Sequence, residues 1–329
     1  MTAAIIAFTR RGAVLGRTLA DALEATLHVP ARFAPEVGAE AYDSLEGWTA
    51  KAWTEADALI FVGAAGIAVR AIAPHIKDKF TDPAVVSVDE AGRFVIPLLS
   101  GHVGGANELA IKVAALTSGQ AAVSTATDVN GLFAVDVWAR ERDMVITDRV
   151  LAKEISAALL EGKPVGFVSD FGHPCPEGLT GDHAELGVWV TYRKGKGPFS
   201  RTLRLAPKGL VLGIGCRRGT PMETIQAAAD EAMSGYEAQA MAQVATIDLK
   251  ENEPGLLAFC AAHNLPLSVF SAVELEQAEG TFTPSAFVAH ITGVDNVCER
   301  AAVCAGGTIL VPKQAKNGVT VAVAGRKIL

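Results

Sequence analysis

The chain of 329 residues is marked first by what it lacks. Its five cysteines, Cys175, Cys216, Cys260, Cys298 and Cys304, are scattered and include no Cys-x-x-Cys pair. That spacing fits reduced thiols and small core residues, and it offers neither a disulfide framework nor a zinc ribbon. Basic excess is missing too. Lysine and arginine total 29 against 36 acidic residues, a net charge of −7, and no third of the chain is basic. A protein that lives by neutralising phosphates shows a basic face, so a nucleic-acid partner is not expected. No apolar run approaches the length of about eighteen residues that spans a bilayer. The short run Ala3 to Phe8 is followed, not preceded, by Arg10 and Arg11, unlike a secretory signal. A cytoplasmic protein without a membrane partner is the expectation.

Several catalytic signatures are also absent. There is no Gly-Lys-Ser/Thr ending of a P-loop and no Gly-x-Ser-x-Gly elbow. Histidine, cysteine and carboxylate residues show no metal-ligand spacing, so no bound metal is expected. Gly213, Gly215 and Gly219 fall at G-x-G-x-x-x-G spacing, which is not the dinucleotide fingerprint, and no acidic residue follows as a ribose ligand.

What is present is a hydrophobic half of the sequence with a repeating strand–glycine–helix plan. Ala3–Phe8, Ala58–Val62 and Ala84–Val88 read as buried strands. Gly12 to Leu27 reads as a helix with Val14, Thr18, Ala22 and Ala25 on its stripe, and Gly104 to Leu116 as another. Ala121–Ser124 resembles a further strand. Thr147-Asp148 caps a helical pattern through Leu151, Ile155 and Leu159. Val165–Val168 and Leu186–Tyr192 look like strands, and Arg193 to Pro198 has linker composition leading to a last domain. Beyond it, Leu210–Gly215 enters a glycine turn, and Thr220-Pro221-Met222-Glu223 reads as a capping box with proline at the first helical position. Asp295 to Cys304 is helical, and Asn317-Gly318 suggests an antiparallel edge pair with a longer loop. These patterns predict an α/β protein. Its N-terminal (1–125) and C-terminal (207–329) domains are expected to be three-layer α/β/α with mostly parallel sheets, joined by a smaller α/β middle region (126–206).

Two glycine-bearing turns stand out, Gly63-Ala64-Ala65-Gly66 before Arg70, and Ser100-Gly101-His102 with Gly104-Gly105-Ala106-Asn107. Glycine admits close backbone approach, and helix-start amides favour anions, so a ligand with several carboxylates or phosphates is expected there. His102 has a near-neutral titration suited to proton transfer and no bulky neighbours, although a lone histidine is often structural. Glu108 and Asn107 follow within a turn. Lys77 and Lys79 are anion contacts or a solvated face. Thr125-Ala126-Thr127-Asp128 follows a predicted strand, where ligands gather in open sheets, which makes Asp128 a candidate acid or base. Arg217 and Arg218 either hold a carboxylate or form an exposed basic turn.

The wording of these blocks resembles the cobalt-precorrin-5A hydrolase family of anaerobic cobalamin biosynthesis. The likeness runs through Gly66-Ile67-Ala68-Val69-Arg70, Ile72-Ala73-Pro74, Asp78-Lys79, Asp82-Pro83-Ala84-Val85-Val86, Ile96 to His102, Gly104 to Asn107 and Thr125 to Asp128. It continues in Gly213 to Gly219, Lys250-Glu251 with Glu253, Thr292-Gly293-Val294, Val297-Cys298-Glu299 and Lys313, whereas residues 1–57 and 140–205 add little. The resemblance implies an anionic cobalt-corrinoid substrate whose δ-lactone is opened by water with release of acetaldehyde, giving cobalt-precorrin-5B. No cofactor is implied beyond the cobalt carried by the substrate. Transient contact with other cobalamin-pathway enzymes belongs to the same expectation.

For that reaction His102 is the expected base, with Asp128 or Glu108 as alternative base or orienting group. Backbone near Gly101, Gly104 and Gly105 is expected to hold the oxyanion. Gly63, Gly66, Arg70, Ser100, Asn107, Thr125, Arg217, Arg218 and Lys313 are expected to contact substrate, in a cleft shared by the end domains. The alternatives are a non-catalytic corrinoid carrier and, less favoured by the glycine spacing, a nucleotide-dependent oxidoreductase.

Overall fold

The computed structural model describes residues 2–328 apart from Lys79, Phe80, Val103 and Asp182, and the side chains of Asp128 and Phe287. The chain divides into two compact units, Met1–Val137 and Trp138–Leu329. The first runs β1 (Ala3–Ala7), α1 (Arg10–Leu23), β2 (Thr26–Val29), α2 (Ala34–Val37), β3 (Glu40–Ala41), α3 (Leu45–Glu55) and β4 (Ala58–Val62). It continues with α4 (Ala65–Ile72), β5 (Ala84–Val88), β6 (Phe94–Leu99), α5 (Ala106–Thr117), β7 (Gln120–Ala121), α6 (Ala126–Val129) and α7 (Val135–Glu141), in which the division falls.

Its seven strands form one sheet in the order β3-β2-β1-β4-β5-β6-β7, parallel except where β6 runs against β5. Period-two alternation sends Ile5 and Ala7 to one face, under α1 and α5, and Ala4 and Ile6 to the other, under α3 and α4. Both faces are therefore covered, which is why the strands read as unbroken apolar runs.

The expected stripe on α1 is corrected. Val14 is 57% exposed, and the buried face is Gly12, Ala13, Gly16, Leu19 and Ala20. Its glycines let the helix lie close to the sheet, since a Cβ on Gly16 would stand 2.7 Å from Leu27 Cδ1. Leu27 itself belongs to β2, not to the helix.

The second unit holds two sheets. The smaller, in the order β8-β11-β10-β9, is made by β8 (Met144–Ile146), β9 (Gly166–Ser169), β10 (Leu186–Val190) and β11 (Arg201–Pro207), with α8 (Arg149–Leu160) between β8 and β9. Asp148 caps α8 as expected, accepting from the amides of Val150 and Leu151. The linker reading of Arg193–Pro198 is overturned, because this segment joins β10 to β11, its parallel neighbour in the same sheet.

The larger sheet has the order β14-β13-β12-β16-β15. It is formed by β12 (Leu210–Cys216), β13 (Met241–Ile247), β14 (Leu267–Phe270), β15 (Gly307–Lys316) and β16 (Val319–Arg326). Among them lie α9 (Met222–Ala232), α10 (Pro254–His263), α11 (Ala272–Glu276), α12 (Ala286–Thr292) and α13 (Cys298–Cys304). One core packs α9 and α10 on the sheet, and a second packs α13 on the opposite face. The β15–β16 pair closes through Asn317 and Gly318 alone, both at positive φ, so the longer loop expected there is a two-residue turn. Nor is there a capping box at Thr220. Pro221 is the N-cap of α9, and the Thr220 hydroxyl instead donates to the Arg217 carbonyl at 2.7 Å. A capping box does form in this unit at Ser271 with Glu274, on α11. Among the described residues no helix is long and apolar enough to cross a membrane.

Candidate functional site

His102 sits where β6 ends and α5 begins. The loop is built by backbone geometry that few side chains tolerate. Ser100 has φ +56° and Gly105 φ +84°. A Cβ on Gly101 would stand 2.7 Å from Asn107 Oδ1, and one on Gly104 2.4 Å from Ser100 Cβ. Ser100, buried, donates its hydroxyl to the Asp82 carbonyl at 2.9 Å. Asn107, also buried, donates from Nδ2 to Thr125 Oγ1 at 2.9 Å. These two polar side chains thus fasten the loop to the segment before β5 and to the segment after β7.

The oxyanion donors are likewise narrowed. The amides of Gly105, Ala106 and Asn107 donate to the carbonyls of His102, Ser100 and Gly101 at 3.1, 3.1 and 3.0 Å. They close the loop on itself instead of pointing at a ligand, so Gly105 is not an oxyanion donor here. Glu108 follows on the exposed side of α5.

Around His102 the fold gathers groups distant in sequence. Nδ1 lies 3.2 Å from Asp136 Oδ1, in the first turn of α7, and Nε2 lies 3.3 Å from Thr127 Oγ1, on α6. The His102 and Asp136 side chains are only 13% and 14% exposed, so the carboxylate acts with little solvent screening. Sequence reasoning missed Asp136. It stands 34 positions after His102, and an acidic residue in a first helical turn reads as ordinary helix chemistry. Asp128, preferred as acid or base, lies on α6, and its side chain is outside the described residues, as is Lys79.

The other glycine turn is elsewhere. Gly63 ends β4 and donates its amide to Val88, the last residue of β5. The His102 loop instead follows Leu99, which pairs with Val85 near the start of β5. The two turns therefore lie beyond opposite ends of the strands of one sheet, separated by the length of β5, on the order of 13 Å. Gly63, Gly66 and Arg70 do not join His102 in a single turn cluster. Gly63 is needed for packing, because a Cβ there would stand 2.8 Å from the Phe8 ring, and Gly66 and Arg70 are exposed on α4. The Gly63 turn lies at the C-terminal end of β4, beside the point where the sheet order reverses between β1 and β4, a usual ligand position in open α/β sheets.

In the second unit a cavity of about 670 Å³ opens beyond the C-terminal ends of β12 and β13. Arg217, Arg218, Lys250 and Lys313 supply positive charge to its wall, and Ile247, Val288 and Val297 supply apolar surface. The volume and mixed lining suit a sizeable amphipathic anion. Gly213 explains the glycine spacing, since a Cβ there would stand 1.7 Å from the Cys298 carbonyl oxygen. Gly213 seats α13 against β12, Gly215 makes room for the Thr320 hydroxyl of β16, which a Cβ would meet at 2.7 Å, and Gly219 takes a positive φ of +73°; each glycine thus has a packing or backbone reason of its own.

Buried carboxylates hold the cavity walls. Glu253 accepts from the Gly219 amide at 2.5 Å and from Lys250 Nζ at 3.0 Å. Burial alone would raise its carboxyl, but these two hydrogen bonds and the charges of Lys250 and Arg218 hold it below the usual glutamate range. Glu299, 2% exposed, accepts from the amides of Thr283 and Lys313 at 2.6 and 2.7 Å and from Asn296 Nδ2. Lys313 Nζ donates to the Thr283 carbonyl at 3.1 Å. Burial raises the Cys216 thiol and pushes Cys298 up to about 11, so neither cysteine is an activated nucleophile.

Comparison with known proteins covers nearly the whole chain. The cobalamin synthesis G N-terminal model matches residues 47–128, the cobalamin biosynthesis central region 133–207, and the cobalamin synthesis G C-terminus 210–324. The central match extends the likeness across residues 140–205, which carry few of the family's blocks. The cobalt-precorrin-5A hydrolase of Salmonella typhimurium is 33% identical over 97% of this chain and 96% of its own. The enzyme of that name from Priestia megaterium is 32% identical over 81% and 78%. A solved cobalamin biosynthesis protein G homolog from Sulfolobus solfataricus is 21% identical, with a TM-score of 0.43 over 98% of this chain and 97% of its own.

Proposed function

Because the chain belongs to the cobalamin synthesis G family, and curated relatives matched over most of its length are cobalt-precorrin-5A hydrolases, we propose that it opens the δ-lactone of cobalt-precorrin-5A with water. Acetaldehyde leaves, and cobalt-precorrin-5B is the product. The observation that carries this reading is identity at one residue in three with the Salmonella enzyme along almost the full length of both chains. The cobalt arrives inside the substrate, and the reaction calls for no further cofactor.

His102 is the base that takes the proton of the attacking water. Its Nδ1 faces the Asp136 carboxylate, which stabilises the positive charge that the ring then acquires. Glu108 and Asp128 remain the alternative proton acceptors on neighbouring turns. Amides near Gly101 and Gly104 are the remaining oxyanion donors once Gly105 is set aside. Once the ring is open, loss of a proton from the freed hydroxyl drives cleavage of the adjoining carbon–carbon bond, and the macrocycle accepts the electrons. Arg217, Arg218 and Lys313 hold peripheral carboxylates from the wall of the cavity in the second unit, where the charges stand beside apolar surface suited to a macrocycle.

The test is incubation of the purified full-length protein with cobalt-precorrin-5A and no added cofactor. Acetaldehyde should appear in step with substrate loss. Binding without acetaldehyde would instead make the protein a corrinoid carrier, and an absolute need for a nicotinamide would defeat both readings.

A further inference from the structure

We propose that Asp136 and Thr127 are positioning residues for His102, fixing it as the tautomer that bears its proton on Nδ1 and its lone pair on Nε2. This rests on His102 being the base of the hydrolysis proposed above.

Three segments meet here: the loop after β6 brings His102, α6 brings Thr127 and α7 brings Asp136. An ionised carboxylate has only acceptor lone pairs, so the hydrogen between Asp136 Oδ1 and His102 Nδ1, 3.2 Å apart, lies on nitrogen. In the neutral ring Nε2 is then the acceptor. Thr127 Oγ1, at 3.3 Å, faces it as donor. A hydroxyl can donate or accept, so the carboxylate decides which way this short chain of hydrogen bonds runs. Asp136 is itself held by the Val137 amide, which donates to Oδ1 at 3.0 Å. Thr127 is 5% exposed, so little solvent competes for its hydroxyl. The Thr127 hydroxyl holds the Nε2 lone pair in place before any substrate arrives; when the attacking water comes in, that hydroxyl turns its proton away, and the freed lone pair takes the proton of the water on a ring already turned and correctly protonated. The same logic orients the imidazole of hydrolytic triads.

The tautomer can be read without catalysis. In full-length protein labelled with 15N-histidine, above the pH at which the ring titrates, His102 is assigned among seven histidines by its loss in His102→Gln. Wild type should show a protonated Nδ1 and an unprotonated Nε2. Asp136→Asn keeps the shape but offers an amide N–H, so Nδ1 should become the acceptor and the proton should move to Nε2. Acetaldehyde turnover should then fall by about 10²–10⁴-fold, with a far smaller change in KM. Thr127→Ser should keep most of the turnover, and Thr127→Val should lose about tenfold or more.

Wild-type protein with its proton on Nε2, or an unchanged tautomer in Asp136→Asn, would overturn the proposal. So would wild-type turnover in Thr127→Val, a variant of nearly equal volume that guards against misfolding of the asparagine form. If wild type releases no acetaldehyde, the hydrolase reading fails, and the nitrogen spectra still decide the positioning.

Discussion

Replacing Gly213 by alanine places a methyl group where the fold already has an oxygen. The new Cβ would stand 1.7 Å from the Cys298 carbonyl oxygen and 3.0 Å from Ala302 Cβ. That oxygen is backbone, in the first turn of α13, so no rotamer change relieves the clash. To widen 1.7 Å to an ordinary contact of 3.4 Å, α13 must retreat from β12 by about 1.7 Å. Overpacking a core costs about 1–3 kcal/mol, and we expect the upper end because backbone must yield. With a urea slope of about 3 kcal/mol per molar, the midpoint should fall by about 1 M. Asn296, Val297 and Cys298 move with the helix start and also line the cavity, so affinity for a corrinoid ligand should fall too. The assay is urea unfolding of the full chain, paired with ligand titration at a denaturant concentration where both forms are folded. A midpoint equal to wild type would show that α13 is not seated this tightly and that the glycine serves something else.

Gly66→Ala is the contrasting case. The new Cβ meets nothing closer than Arg70 Nη1 at 3.6 Å, so helix propensity should raise stability by about 0.5–1 kcal/mol, read as a higher Tm; a lower Tm would contradict it. Arg217→Ala should weaken corrinoid binding far more than turnover at saturation, and the variant's affinity should depend less on salt than that of wild type; a kcat defect at unchanged affinity would place Arg217 in the chemistry instead. Glu253 has a folded-state titration below its unfolded value, so its stabilisation is present above about pH 4.3 and is lost as pH falls through the lowered value. Glu253→Gln should therefore be less stable than wild type at pH 7 and lose less on acidification, measured by urea midpoints at both ends of that window.

The strand and helix alternation, the glycine turns and the histidine beside them were legible in the sequence because each is a local pattern. Apolar runs such as Ala58–Val62 announce strands buried on both faces. Asp148 announces a cap because its partners are two and three residues away. Patterns failed where a neighbour distant in the chain decided the outcome. On α1 the apolar spacing pointed to Val14, yet the sheet accepts the glycine and alanine face, because only small residues let the helix approach Leu27 and Val62. At Thr220 the hydroxyl prefers the Arg217 carbonyl, and Pro221 takes the cap.

The sequence by itself determined that this is an α/β chain with His102 in an exceptional loop, and its ordered blocks determined the family. Only tertiary structure decided which carboxylate faces the histidine, beyond which end of the strands each glycine turn lies, and which loop amides are used up at home. The antiparallel course of β6 explains the first two. It carries Ser100 back to the start of β5, away from Gly63, and β7, paired in parallel with the start of β6, sends the chain after Ala121 in the same direction. The segments that follow those two strands, holding His102, Thr127 and Asp136, then meet across 34 residues that no local periodicity connects.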